Sequence, residues 1–239
     1  MPDPQRYRRA RLVQRYKRFL ADVELDSGET LTVHCPNPGR MIGVKDPGSE
    51  VCLRDSANPR RKLRWTLQSI RVGEVWVHLD TLAANPFIEA RLRSGELPEL
   101  GGYDRIERER PYGKGSRIDL LLSGGAGPEA YVEIKSTTYL DDDVARFPDA
   151  VTARGTRHLR ELMAVRAAGK RAVMLFLVCR EDATRFAPAD AIDPVYCAVL
   201  REAAEAGVEL LAYAARGGPE ELELLGPLPI DLSPPVPTA

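Results

Sequence analysis

The chain has 239 residues, 44% hydrophobic and 29% charged, with a formal net charge of −1. That length allows one large domain or two small ones with a sizeable core. No apolar run approaches the roughly 18 residues that would span a bilayer, and the N-terminal MPDPQRYRRARLVQRYKR lacks the apolar stretch of a secretory signal. A cytoplasmic protein with no membrane partner is expected. Cys35, Cys52, Cys179 and Cys197 share no CxxC spacing, which argues against a zinc site or a disulfide framework and for small buried hydrophobes.

Charge is unevenly distributed. Residues 1–80 hold 15 Lys+Arg against 10 Asp+Glu, and the remainder holds 19 against 25. Arg6 to Arg18 contains seven basic residues and no acid, and Arg60–Arg64 (RRKLR) adds four. Such clusters bind phosphates with a salt-dependent affinity, although a solvated Arg-rich surface reads the same way. From Phe19 the pattern takes period two, with Phe19, Ala21, Val23 and Leu25 alternating with polar positions before a DSG turn. ETLTVH, SEVCLRD, LRWTLQSI and EVWVHL follow as strands. Five short strands closing on themselves predict a small OB-like barrel, an architecture often used to hold nucleic acid, although other small barrels read the same way at this level.

The period shifts near Thr81. TLAANPFIEARLRSGELPEL has helical spacing, with Asn85 as the expected cap, Pro86 at the first helical position and Gly95 as the stop. GYDRIERERPY, SRIDLLL and AYVEIKS then read as a long hairpin. A helix over 152–168, the strand RAVMLFLVCR, a helix over 194–206 and the strand VELLAYAAR alternate after it, which implies a mixed sheet covered by helices. The Pro-rich end GPLPIDLSPPVPTA is expected to be extended or disordered. The expected fold class is α/β (α+β), with an OB-like barrel over 1–80, a mixed-sheet α/β domain over 81–228 and a tail over 229–239.

Two apolar runs of the hairpin are interrupted by charge. In AYVEIKS, Tyr131, Glu133 and Lys135 share one face. In SRIDLLL, Ile118, Leu120 and Leu122 are expected on one side and Asp119 on the other. Pairing of the strands lets Asp119 lie beside Glu133, though the intervening loop leaves the register open. Two close carboxylates repel, and a divalent cation removes that cost: Mg²⁺ takes one or two carboxylates plus waters and phosphate oxygens, and a nearby lysine serves an attacking water or a developing phosphate charge. An ordinary Glu133–Lys135 surface salt bridge is the alternative.

This acid followed by Glu-x-Lys resembles the PD-(D/E)xK nuclease superfamily. The resemblance implies Asp119, Glu133 and Lys135 as the catalytic set, Mg²⁺ or Mn²⁺ as cofactor, Asp119 and Glu133 as metal ligands, and Glu89 of the first helix as a third ligand. RYKRFLADVEL, HCPNPGRM, GKGSRIDLLL, YVEIKSTT and FPDAVTARGTRHLREL, in that order over nearly the whole chain, resemble the sugar fermentation stimulation protein family. That resemblance implies DNA binding, an OB-like N-terminal domain and a nuclease-like C-terminal domain, with a homodimer left open. Two positions depart from the pattern: Pro38 stands where threonine is expected, and IKSTT where VKNVT is expected.

Further candidates for nucleic-acid contact are Arg15, Lys17, Arg18, Arg40, Arg60, Arg61, Lys62, Lys114, Arg117, Arg154 and His158. Arg154 and His158 share a helix face near its N-terminus, where anions are favoured; for His158 a capping or partly buried role is equally open. Arg157 is placed to pair with Glu161. Trp65, Trp76 and Phe19 offer base-stacking faces or core packing. Asp141–Asp143 lack the spacing of a calcium loop and read as a mobile acidic loop beside the site. The functional readings are a metal-dependent phosphodiesterase acting on DNA, a non-cleaving DNA-binding regulator of sugar catabolism genes with a vestigial site, and a small-ligand or protein-interaction module whose basic patches are only solvated.

Overall fold

The computed structural model describes residues 6–113, 115–125, 127–218 and 221–234. The first sheet comprises β1 (Tyr7–Tyr16), β2 (Leu20–Glu24), β3 (Thr30–His34), β4 (Glu50–Asp55), β5 (Trp65–Val72) and β6 (Val75–His78). Its order is β3-β2-β1-β4-β5-β6, and a parallel pairing of His34 with Thr66 joins β3 to β5 and closes the barrel. Inward positions such as Leu12, Ala21, Val23, Val33, Val51, Leu53, Leu67 and Ile70 fill its core. The strand that pattern reading misses is β1. Only Ala10 and Leu12 of the Arg-rich run are buried, while Arg8, Arg9 and Arg11 stand outside. The guanidiniums of Arg8 and Arg9 lie over the Trp65 and Trp76 rings.

A 3₁₀ turn (Thr81–Ala83), capped by Asp80 through Leu82 N (3.1 Å), leads into α1 (Ala84–Arg93). Asn85 is not the cap. It sits inside the first turn with its side chain free for another contact, while Gly95, at φ +78°, ends the helix as expected. The second sheet is built from β7 (Arg105–Tyr112), β8 (Ser116–Ser123), β9 (Ala130–Thr137), β12 (Arg171–Val178), β14 (Glu209–Gly217) and β15 (Leu222–Pro227), in the order β15-β14-β12-β9-β8-β7. The continuous apolar run of β12 is central and parallel to β9 and β14. A small side sheet of β10 (Tyr139–Asp141), β11 (Val144–Phe147) and β13 (Arg185–Pro188) was not read from sequence.

The cores of the second sheet lie on its two faces. α2 (Ala153–Ala167) and α3 (Pro194–Glu205) cover one, and α1 covers the other. Asp193 braces α2 and α3: Oδ1 caps α3 by accepting from Tyr196 N (3.0 Å), and Oδ2 accepts from the amide of Thr152, the cap of α2 (2.8 Å). The barrel is locked onto this unit. Gly217 of β14 packs against β6, where an added Cβ would lie 2.4 Å from the Trp76 carbonyl oxygen, and His78 N donates to Cys179 O (3.0 Å).

One expectation holds in its extended form over part of the tail, and one needs correction. Residues 228–233 are extended and docked: Leu228 N donates to Ala212 O (2.8 Å), Asp231 N to Phe186 O (2.8 Å), and Arg201 Nε to Leu232 O (2.7 Å); the remainder of the tail lies outside the described residues. Asp141–Asp143 form the tied turn of the β10–β11 hairpin, with Asp141 bonded to Arg146 (2.8 Å) and Asp143 to the Thr184 hydroxyl (2.5 Å). All four cysteines are buried, and none forms a disulfide among the described residues. No helix among the described residues is long and apolar enough to cross a membrane.

Candidate active site

β8 and β9 pair antiparallel through Leu122–Ala130, Leu121–Tyr131 and Leu120–Val132. One step further, Asp119 comes opposite Glu133 and the ladder opens. There Asp119 Oδ2 accepts from Ile134 N (2.7 Å), so a side chain takes up an amide on the opened edge of β9. The simple alternation expected of SRIDLLL breaks at this point. Leu120 and Leu122 pack in the core under α1, whereas Ile118 joins Leu121 in the core under α2 and α3. Asn85 Nδ2 of α1 donates to Asp119 Oδ1 (2.8 Å). Burial, and next the charge of Glu133, push the Asp119 carboxyl up to about 6.

Glu133 is buried at 2% exposure on the α2 side. Its Oε1 accepts from Lys135 Nζ (2.6 Å) and contacts Nδ1 of the buried His158. Arg154 Nε donates to His158 Nε2 (3.3 Å), which makes Nε2 the acceptor and leaves the ring proton on Nδ1, directed at Glu133. Burial acts against the Glu133 charge, but the His158 hydrogen bond and the Lys135 ammonium outweigh it, and its pKa falls below the ordinary carboxylate value. The second oxygen, Oε2, is buried with no hydrogen-bond partner. A charged oxygen in that state is costly unless something cationic reaches it.

The donor set therefore fits one hard divalent ion. Glu133 Oε2 would be its orphaned ligand and Asp119 its second carboxylate, with waters and phosphate oxygens completing the shell, as Mg²⁺ commonly requires. Glu89 does not join them. It is paired with Arg93 (2.8 Å) and Arg108 (3.0 Å), one turn along α1 from Asn85, and it is Asn85 that reaches Asp119. Among the described residues no three His, Cys, Asp or Glu side chains gather as a metal cluster. One acid was missed in the sequence. Glu109 of β7, flanked by the pairs Arg108–Leu120 and Arg110–Ile118, stands opposite Asp119 and lines the same cleft with a left-handed backbone, φ +55°. Unusual backbone of this kind concentrates at working sites.

The cleft encloses about 640 Å³ between the two units. Its floor holds Asp119, Glu133 and Lys135, and its far wall is the barrel segment HCPNPGRM. Arg15 serves that wall: its NH2 donates to the carbonyls of Arg18 (2.8 Å), Asn37 (2.9 Å) and Gly39 (2.9 Å), so it shapes the loop and is not free for phosphate. Asp149 Oδ2 accepts from Met41 N (2.8 Å), and Thr81 Oγ1 donates to Pro36 O (3.0 Å), tying the loop to the second unit. Asn37 and Asp149 lie in segments that carry the family resemblance, but the contacts of Asp149 and Thr81 with the barrel loop exist only once the two units meet.

The other predicted contact residues are scattered. Arg18 and Arg154 line the cleft. His158 does not face it, because both ring nitrogens are engaged behind Glu133. Lys17 with Arg18, and Arg60, Arg61 and Lys62, are exposed in the β1–β2 and β4–β5 loops, the two loops with which OB barrels contact polymers. Arg40 is exposed beside the wall, and Arg117 donates weakly to Glu109 O (3.4 Å). Lys114 lies outside the described residues. Arg157 makes no ion pair among the described residues, and the Glu161 carboxylate expected to meet it is buried beside Gly113. Trp65 is core, while Phe19 is 49% exposed.

A closed OB barrel locked to a mixed α/β unit of restriction-endonuclease type, with an acid and a Glu-x-Lys pair at the opened edge of its central hairpin, defines the class of this protein. The chain belongs to the sugar fermentation stimulation protein family: the family's N-terminal OB domain matches residues 13–79, and its RE domain matches residues 82–221. A sugar fermentation stimulation protein homolog of Acidithiobacillus ferrooxidans is 49% identical over 216 residues, 90% of this chain and 93% of its own. One from Paramagnetospirillum magneticum is 46% identical over 225 residues, 94% and 95% of the two chains. Among solved structures, Pyrococcus furiosus SfsA in complex with Ca²⁺ matches with a TM-score of 0.86 at 29% identity, covering 94% of this chain and 96% of that one.

Proposed function

We propose that this protein is a divalent-metal-dependent phosphodiesterase acting on DNA in the cytoplasm, in which an OB barrel over 1–80 holds the backbone and the unit over 81–228 presents the reacting centre. The observation that carries this reading is Glu133: Lys135 and His158 occupy one carboxylate oxygen while the other is buried with no hydrogen-bond partner among the described residues, and the charge of Glu133 acts on Asp119 in the same cleft. The Ca²⁺ complex of the Pyrococcus furiosus relative supports a divalent ion in proteins of this fold. Bound Mg²⁺ or Mn²⁺ would supply Lewis acidity to a phosphate and to a water. The chain's own groups do the rest. Asp119 must be ionised to ligate, His158 holds Glu133 in one orientation, and Lys135 Nζ places a positive charge where negative charge develops on phosphate. The test is incubation of linear and single-stranded DNA with Mg²⁺, Mn²⁺ or EDTA, beside Glu133→Gln and Lys135→Ala. Metal-dependent cleavage reduced by about 10²-fold or more in both variants is expected. Intact DNA throughout, with salt-sensitive binding retained, would instead identify a non-cleaving DNA-binding regulator.

A further inference from the structure

The shape of the cleft says more about the substrate than its chemistry does. The groups that must meet a phosphate lie on the floor, where Glu133 is 2% exposed and the Lys135 side chain 16% exposed. Loops stand above them from both units: Asn37, Pro38 and Gly39 from the barrel, and Asp149 to Thr152 from the entry to α2. These walls are fastened to each other by Met41 N to Asp149 Oδ2 (2.8 Å), by Thr81 Oγ1 to Pro36 O (3.0 Å), and lower down by His78 N to Cys179 O (3.0 Å). The volume they leave, about 640 Å³, falls in the range of small-molecule pockets, roughly 300–1,000 Å³. A B-form duplex, with a major groove about 12 Å wide, is much broader than one strand, and fastened loops on both units favour the narrower form.

The lining has two characters. Arg18, Lys135, Arg146 and Arg154 supply positive charge around the carboxylates of Glu109, Asp119, Glu133 and Asp149, while Leu82 and Val151, 68% and 73% exposed, present bare aliphatic surface to the same cleft. Large apolar side chains held that far into solvent have no role in either core, and an unstacked base is the part of a nucleotide that apolar surface accommodates. Pro38 adds to the apolar wall where a threonine hydroxyl is the pattern's expectation.

We infer that the cleft admits one unpaired strand of DNA, backbone toward Arg18, Arg154 and Lys135 and bases against Leu82 and Val151, and that it excludes duplex. This rests on the phosphodiesterase reading and names the substrate form for the same site. The experiment uses the full chain with Ca²⁺ and fluorescence anisotropy. The probes are an oligothymidylate of about 20 nucleotides, longer than the roughly 4–16 covered by one OB fold, and a hairpin duplex of similar length at the same salt. Wild type should bind the single strand at least about tenfold more tightly. Leu82→Ser combined with Val151→Ser, both at exposed positions, should weaken single-strand binding about fivefold or more and leave weak duplex binding unchanged. Duplex binding equal to or tighter than single-strand binding overturns the inference, as does single-strand binding that the double variant leaves unchanged. A protein that binds or cuts duplex alone would keep the phosphodiesterase reading and lose this one, whereas a protein that binds neither probe and cuts neither loses both.

Discussion

At Asp119 two demands oppose each other. The carboxylate is desolvated and faces Glu133, which raises its pKa from 3.8 to about 6, a difference worth about 3 kcal/mol against the charged form. Because the folded value is the higher one, the folded chain holds a proton that the unfolded chain has released between roughly pH 4 and pH 6. The contribution of this residue therefore becomes more favourable as pH falls through that window and is fully adverse above it. Asp119→Asn should raise the unfolding free energy of the metal-free protein at neutral pH by up to about 3 kcal/mol, flatten its stability between pH 4 and pH 6, and abolish the Ca²⁺-induced rise in Tm. Thermal unfolding with and without Ca²⁺ across pH checks all three. His158→Ala should also weaken the hold on the ion. It removes the hydrogen bond that lowers the Glu133 pKa, and loss of such an outer partner typically weakens metal affinity about 10–100-fold, a change that calorimetric Ca²⁺ titration would read. Asp119, Glu133 and Lys135 were legible as a group in the sequence because charge interrupts apolar strands, and the structure brings all three to one cleft. Glu89 was misassigned because α1 carries two polar positions four residues apart, Asn85 and Glu89, and only the packing of α1 on the opened hairpin decides which one meets Asp119.

Among elements, the barrel segment HCPNPGRM shows how a loop becomes part of a site in the other unit. Gly39 lies so close to Asp149 that an added Cβ would stand 2.4 Å from its carboxylate oxygen, the same oxygen that accepts from Met41 N. Gly39→Ala must push Asp149 away and break that bond, and Asp149→Ala breaks it directly while removing the clash. The two substitutions should therefore be non-additive. Each alone weakens stability by about 1–3 kcal/mol, and the double variant should be less destabilised than the sum by roughly 0.5–3 kcal/mol, measured as a double-mutant cycle by denaturant unfolding. Most strands and all three α-helices could be placed from hydrophobic period, whereas the caps Thr152 and Asp193 emerge only in the structure. β1 escaped because its outward arginines outweigh its two buried residues, Ala10 and Leu12, and their stems cover tryptophan rings instead of breaking a strand. The side sheet of β10, β11 and β13 escaped because its strands have only three or four residues each, too few to show a period, and β13 is recruited by parallel pairing to β11.

Across the whole molecule, positive charge and reacting groups are separated and then aligned. Net charge is close to zero, so no overall field draws the chain to a polyanion, and attraction must come from local concentrations. Lys17 and Arg18 in the β1–β2 loop and Arg60, Arg61 and Lys62 in the β4–β5 loop are exposed. None of these five side chains forms an ion pair among the described residues, in contrast to Arg9, Arg54, Arg64 and Arg71 of the same barrel. Unpaired cations release counterions on meeting phosphates, whereas paired ones have already been neutralised. Arg18 also lines the cleft, so the β1–β2 loop forms a continuous path from the barrel surface to Lys135. Replacing Arg60, Arg61 and Lys62 together by alanine should leave the fold, the Ca²⁺ affinity and the cleft intact. It should weaken DNA binding in low salt and reduce the slope of log K against log salt by about 1 for each phosphate no longer neutralised. Replacing Arg9 and Arg71, whose charges are already balanced by Glu50 and Glu74, should change that slope little. Anisotropy titrations over a salt series decide the matter: equal slopes for the two sets of variants would mean that binding is set inside the cleft, without guidance from the barrel loops.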